Sequence, residues 1–323
     1  MATQQESRTR VSMVDVPVAS PGHPSLSAPA DAIVCTGVTK DYGEHHGVFD
    51  LDLTVHTGEV FGFIGTNGAG KTTTLRLIMD LIRPDHGSIN VFGHDVRREG
   101  STVRGWIGYL PGELPQWPGV TAAHVLGLLA GLRGGVEEAW LAGLIDRLRL
   151  DVHRPYRELS HGNKQKVGLV AAFMHRPDLL ILDEPTLGLD PLMQREVRAL
   201  IAEAVAAGAT CLLSSHVLAE VEVVCDRIGL IRDGRMVRVG TLADLRELRA
   251  HRVTAIIPDQ PMPADFAAVP GVEEVSVHHD TYACTVRGDI TPLLGWLARH
   301  GAIELDSREL TLEEVFLAQF RSR

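Results

Sequence analysis

Residues 65–72 read Gly65, Thr66, Asn67, Gly68, Ala69, Gly70, Lys71, Thr72, which is the glycine, lysine and hydroxyl spacing of a phosphate-binding loop. Glycines let successive backbone N–H groups curl around phosphate oxygens. A helix starting at the loop adds the positive end of its dipole. Lys71 is then placed for the β- and γ-phosphates, and the Thr72 hydroxyl for Mg2+. Thr73 follows in the first helical turn and joins the binding set. A second constellation lies at 179–184, where Leu-Leu-Ile-Leu precedes Asp183 and Glu184. Such a run fits a strand buried on both faces, and ligands of open α/β sheets bind at the C-terminal ends of strands. Asp183 is expected in the Mg2+ shell, and Glu184 is expected to orient and polarise an attacking water. An Asp-Glu pair says little alone; downstream of a phosphate loop it points to phosphoryl chemistry.

A third stretch, Leu159, Ser160, His161, Gly162, Asn163, Lys164, Gln165, lies some two dozen residues before Glu184. It resembles the LSGGQ signature of ATP-binding-cassette (ABC) ATPases. Asp190 before Pro191 is similar to that family's D-loop, His216 after Ser214 and Ser215 to its switch histidine, and Tyr42 to the aromatic residue that stacks on adenine. These elements keep the family's order over about residues 32–250. The resemblance implies ATP and Mg2+ as cofactors. It implies two such domains paired head to tail, with each ATP held between Lys71 and Thr72 of one chain and Ser160, Gly162 and Gln165 of the other. Ser160 and the helix N–H groups after it would bind the γ-phosphate, and His216 would contact the γ-phosphate and hold the site closed. Glu184 and His216 are thus the expected catalytic residues, with Asp183 and Thr72 at the metal.

Two positions depart from the family pattern. Gly112 stands where a Gln or Glu is usual after Gly-Tyr-x-Pro, with Glu113 one residue later as a substitute. His161 replaces a signature glycine and adds bulk beside the γ-phosphate site that the resemblance implies. Ser160 also sits where a helix cap belongs. The pairs His45-His46 and His278-His279 have no Cys or carboxylate pattern around them to suggest a metal centre.

The elements that must position these residues are legible in part. Alternation at 48–55 and the apolar run at 59–64 read as strands, and 72–82 carries helical spacing that stops before Pro84. Residues 122–132 and 136–148 are helical in pattern. Strands follow at 179–183, 209–214, 228–231 and 235–239, the last two joined by the hairpin signal Asp233-Gly234, and a helix is expected at 242–249. Beyond His251 the texture changes to short strands at 253–257, around 275–277 and 282–286, a helix capped by Asp289, a strand near 303–305 and a capped helix from Thr311. The expected fold is α/β: a P-loop ATPase core with an ABC-type helical subdomain at about 113–158 and a small α+β C-terminal domain. The boundaries read as a disordered leader at 1–30 rich in Pro and Ser, the ATP-binding domain at 31–250 and an accessory domain at 251–323.

Composition narrows the class. A net charge of −10 and a pI near 5.8 argue against nucleic acid as a partner. Cys35, Cys211, Cys225 and Cys284 form no CxxC pair and fit buried thiols in a reducing compartment. No apolar stretch is long enough to cross a bilayer, and the N-terminus lacks a signal-peptide core. The segment after the D-loop and the ending at 312–317 resemble ATP-binding subunits of ABC-2-type exporters, a group that includes bacterial drug and antibiotic resistance pumps. That resemblance implies a separate membrane permease and a place on the cytoplasmic face of the membrane. A soluble ABC protein acting on ribosomes or DNA would carry a second cassette or a long coiled coil. A weakly hydrolysing regulator is opposed by the intact Lys71, Asp183, Glu184 and His216, while Gly112 leaves it room. Leu114 and Trp117, in the Pro- and Gly-rich segment 110–120, are expected on a surface loop that could meet a partner, the alternative being that Trp117 packs on the neighbouring helix.

Overall fold

The computed structural model describes residues 30–241, 250–259 and 261–310. The expected leader, the helix at 242–249 and the terminal helix from Thr311 lie outside them. The order begins β1 (Asp31–Asp41), β2 (Gly47–His56), β3 (Val60–Ile64), α1 (Lys71–Ile78), β4 (His86–Val91), β5 (His94–Asp95), α2 (Val96–Gly105) and β6 (Ile107–Leu110). It continues with α3 (Ala122–Leu132), α4 (Glu138–Arg147), a 3-10 turn at Tyr156–Glu158, α5 (His161–Phe173), β7 (Leu179–Asp183), α6 (Pro191–Ala206), β8 (Thr210–Ser215), α7 (Leu218–Val221), β9 (Arg227–Arg232) and β10 (Arg235–Thr241). Last come β11 (Ala250–Ile256), α8 (Pro263–Ala267), β12 (Val272–His278), β13 (Thr281–Arg287), α9 (Thr291–Arg299) and β14 (Glu304–Glu309).

The central sheet has the order β10-β9-β3-β8-β7-β6. Its inner pairings are parallel, and β10 closes one edge antiparallel to β9. All five residues of β7 are buried. Because successive side chains face opposite ways, Leu180 and Leu182 enter one apolar core, with Val125, Leu144 and Val170. Leu179 and Ile181 enter the other, with Phe61, Phe63, Leu75 and Ile78. A strand covered on both faces must be apolar throughout, which is why its sequence shows a continuous run.

An antiparallel sheet β2-β1-β4-β5 contributes Ile33, Leu51, Leu53 and Val91 to the second core. The elements of 86–110 carry no strong period, and sequence patterning leaves them unassigned. The helix read at 72–82 ends earlier, at Ile78: Met79 closes it and Asp80 turns left-handed at φ 52°. The C-terminal sheet β12-β13-β11-β14 packs its own core, with Phe266, Tyr282, Trp296 and Leu297. Its inner end touches the first core through Ala250 and Leu310, and the Leu310 N–H donates to the Ala250 carbonyl at 2.8 Å. All four cysteines are buried thiols. Among the described residues no helix is long and apolar enough to cross a membrane.

Candidate active site

Three adjacent strands deliver the chemistry. β8 lies between β3 and β7, so the loop after β3, the carboxylates ending β7 and the residues ending β8 meet at one edge of the sheet. The β3 strand runs into residues 65–70, and α1 starts at Lys71. The Lys71 side chain is only 6 % exposed. Its Nζ donates to the Gly65 carbonyl at 2.6 Å and the Thr66 carbonyl at 3.3 Å, and lies 3.3 Å from Glu184 Oε1. The cation is thus folded back over its own loop and neutralised by the carboxylate across the cleft.

Thr72 Oγ1 donates to Asp183 Oδ2 at 2.6 Å. The Ser214 hydroxyl donates to the other Asp183 oxygen and accepts from the Glu184 N–H at 3.0 Å. Glu184 sits at φ 49°, a left-handed conformation that costs a non-glycine residue energy unless its surroundings hold it. The holders are the Ser214 bond and Gln165, whose Nε2 donates to the Glu184 carbonyl at 3.0 Å. His216 Nδ1 lies 2.9 Å from Glu184 Oε2. Glu184 is therefore fixed at backbone and side chain together. On β6, burial and the nearby Asp183 carboxylate push the Tyr109 phenol up to about 12, so it stays neutral.

Lys71, Thr72, Asp183 and Glu184 open onto a cleft of about 410 Å³, whose lining includes neither Ser214 nor His216. Tyr42 and His46 form part of its wall, the loop residues Thr66, Asn67, Gly68 and Gly70 another part, and Lys71, Thr72, Thr73, Asp183 and Glu184 line it as well. Of the remaining expected residues, Gly65 receives the Lys71 ammonium. Ala69 is buried and faces away from the cleft, its carbonyl accepting from the Gly234 N–H at 3.0 Å.

Ser160, Gly162 and Asp190 are not brought into this cleft. Ser160 caps α5 by accepting from the Asn163 N–H at 3.3 Å, and Asp190 caps α6 by accepting from the Leu192 and Met193 N–H groups at 3.0 Å. Gln165 reaches Glu184 only from behind. His161 packs beside Gly188, where a Cβ would come within 2.8 Å of the imidazole.

Sequence reasoning missed Ser214, Arg76 and the consequence of Gly112. Ser214 stands two residues before His216, and neither its type nor its spacing signals a role in the sequence. Arg76 is one helical turn beyond Thr72, a spacing that puts both on one side of α1, and it lines the cleft. A Cβ on Gly112 would stand 2.7 Å from Asp183 Oδ2, so the glycine lets the loop after β6 dock directly on that carboxylate. Glu113 turns instead to Arg76, with 3.1 Å between Oε2 and Nη2. Leu114 and Trp117, expected on a surface loop, are half-buried and pack against the first core, because the loop folds back over α5.

A family model described as "ABC transporter" matches residues 48–187. The Nod factor export ATP-binding protein I of Cupriavidus pinatubonensis is 33% identical over 87% of this chain and 88% of its own length. The daunorubicin/doxorubicin resistance ATP-binding protein DrrA of Streptomyces peucetius is 34% identical over 90% of this chain and 92% of its own length. The chain belongs to the ABC transporter ATP-binding proteins. A solved structure titled as the ATP binding subunit of an ABC transporter superposes with a TM-score of 0.61 at 34% identity, covering 67% of this chain and 92% of that one. The ABC ATPase fold expected from the sequence is thus the fold observed, and the chain is an ATPase that binds ATP. In an ABC ATPase the arrangement described above can neutralise phosphate charge with Lys71, offer two hard oxygen donors from Thr72 and Asp183, and hold one carboxylate, Glu184, against a histidine.

Proposed function

We propose that this chain is the ATP-hydrolysing subunit of an ABC exporter, driving a separate ABC-2-type permease that expels a drug, antibiotic or lipid-like compound. The observation that carries the reading is the junction of Lys71, Thr72, Asp183, Glu184 and His216 at the ends of β3, β7 and β8. The names of the two relatives, export of Nod factor and resistance to daunorubicin, support the export direction.

In this reading the loop 65–70 with Lys71 and Thr73 binds the phosphates, and Tyr42 stacks on the base. Lys71 must leave the Gly65 carbonyl and Glu184 to meet the phosphates. Its release frees the Glu184 carboxylate to take a proton from the attacking water, while His216 orients that carboxylate and then the γ-phosphate. Thr72 and Asp183 are the residues that would hold Mg2+. Both are hard oxygen ligands, the class a small divalent cation prefers, and the hydrogen bond between them brings the two side chains to one point. When bound, it would supply charge neutralisation at the phosphate oxygens. Ser160, Gly162 and Asp190 stand off their own cleft, which suits completion of the cleft of a second, head-to-tail copy, whereas Gln165 is buried against the Glu184 carbonyl of its own chain. The domain division at about 250 follows the third core, and the subunit is placed on the cytoplasmic face of the membrane beside its permease.

The test is co-expression with a candidate polytopic permease, sought among the products of neighbouring genes. The expected result is recovery of the chain with the membrane fraction only when the partner is present, with ATPase activity that rises on reconstitution and falls with Glu184→Gln. Association that ignores the partner, or ATPase activity indifferent to it, would overturn the transport reading.

A further inference from the structure

Behind the cleft, three segments meet at one residue that lines no part of it. Gly234 closes the turn between β9 and β10, where Arg232 pairs with Arg235. Its N–H donates to the carbonyl of Ala69 in the phosphate loop at 3.0 Å. Its carbonyl accepts from the N–H of Phe49 on β2 at 2.8 Å. Phe49 follows directly on the wall that carries Tyr42 and His46. That wall is itself closed by two backbone bonds, from Tyr42 N–H to the His46 carbonyl at 2.8 Å and from His46 N–H to the Gly43 carbonyl at 2.9 Å. One residue is therefore bonded to both sides of the cleft. The position also tolerates no side chain: φ is +73°, and a Cβ would lie 2.4 Å from the Gly47 carbonyl oxygen and 2.9 Å from Phe49 Cδ2.

We propose that Gly234 is a positioning residue that sets the separation between the base-side wall at Tyr42–His46 and the phosphate loop at 65–70. The proposal rests on the reading of Tyr42 as the base-side contact. The covalent chain of ATP limits how far base and phosphates can stand apart, so both ends engage together only if the walls stand within that reach. Holding both ends multiplies affinity because the second contact is made within an already bound molecule. A turn displaced by a side chain at 234 pushes on Gly47 and the base-side wall. It leaves the phosphate loop's own amides in place, so the phosphate end still binds while the base end loses register.

The discriminating readout is the ratio of affinities for ATP and for inorganic tripolyphosphate, measured by calorimetric titration at one Mg2+ concentration. Gly234→Ala is expected to lower that ratio about tenfold while tripolyphosphate affinity stays within about twofold. A general loss of stability would lower both affinities together. Where Gly234→Ala is not recovered folded, Gly234→Asn, which accepts a left-handed backbone but keeps the Cβ contact, carries the same test. Wild-type amide exchange needs no variant: ATP is expected to slow exchange at Phe49 and Gly234, and tripolyphosphate at Gly234 alone. Parallel loss of both affinities, an unchanged ratio, or equal protection by both ligands overturns the proposal. The underlying reading fails separately. Wild-type chain that binds neither ligand removes the nucleotide cleft, and an unchanged ratio in Tyr42→Ala removes the base-side contact. A lowered ratio in Tyr42→Ala beside an unchanged one in Gly234→Ala removes Gly234 alone.

Discussion

Lys71 and Glu184 neutralise one another at 3.3 Å inside a cleft where neither is more than 15 % exposed. Removing either leaves a buried charge without its partner, which costs more than the pair contributes. Lys71→Ala therefore acts twice, deleting the phosphate contact and leaving the Glu184 carboxylate to repel ATP. Its ATP affinity is expected to fall at least about tenfold, corresponding to ~1.4 kcal/mol, in a calorimetric titration. Unchanged affinity would show that the loop does not hold phosphate. Glu184→Gln keeps the shape and the backbone bonds from Ser214 and Gln165 but removes the proton acceptor. Hydrolysis is expected to drop about 10²–10⁴-fold while ATP still binds; turnover within tenfold of wild type would move the general base elsewhere.

Among the helices, α4 is tied to α6 by a single guanidinium. Arg147 Nε lies 2.5 Å from Glu196 Oε1, and its two terminal nitrogens donate to the Glu203 carboxylate at 2.7 and 2.8 Å. The paired carboxylates raise the arginine pKa further, and the arginine in turn holds Glu203 below the usual carboxylate range. The paired geometry makes this stronger than an ordinary surface contact, though partial exposure limits it. Arg147→Ala is expected to destabilise the chain by about 1 kcal/mol, with a coupling of similar size to Glu203→Ala in a double-mutant cycle by urea unfolding. Additive effects of the two substitutions would mean the contact contributes nothing. Since α4 belongs to the helical part and α6 follows Asp190, this bond also links the helical layer to the segment expected to face a second copy.

For the whole molecule, pairing and acid stability follow from groups the cleft does not contain. With Ser160 and Gly162 off their own site, Glu184→Gln in saturating Mg·ATP is expected to accumulate a dimer, read as a doubled mass by light scattering. A mass that stays monomeric, also when the membrane partner is present, counts against head-to-tail pairing. His175, after α5, is half-buried with both ring nitrogens shielded from solvent, and desolvation first and the Arg133 guanidinium second push its imidazole down to about 4. An unfolded histidine titrates near 6.5. Between those values the unfolded chain binds a proton that the native one refuses, so stability falls as pH drops from about 6.5 to about 4. The total loss is roughly 1–3 kcal/mol. His175→Leu is expected to flatten that part of the pH profile, compared by urea midpoints at pH 7.5 and pH 5; an unchanged slope would place the acid sensitivity elsewhere.

Local chemistry left its mark on the sequence wherever neighbours in the chain decide the outcome. The phosphate loop and the start of α1, the fully apolar β7 and the Asp233-Gly234 turn are all readable because glycine spacing, burial on both faces and turn geometry act within a few residues. The C-terminal strands at 272–278 and 281–287 alternate for the same reason. The sequence could not say that β8 would lie between β3 and β7, since its pairing with β3 joins Val60 to Cys211, segments far apart in the chain. Only that adjacency brings Ser214 onto Asp183 and His216 onto Glu184. Tertiary packing also decided that Gly112 lets its loop rest on Asp183 and that Trp117 is half-buried against the first core, while the Ser160 cap is local and legible in the sequence. Gly234 shows the division most sharply. Its turn is a local signal, yet its bonds to Ala69 and Phe49 exist because the β9–β10 turn lies against the start of β2 and the loop after β3, far earlier in the chain, and backbone hydrogen bonds of that kind depend on position, not on side-chain type.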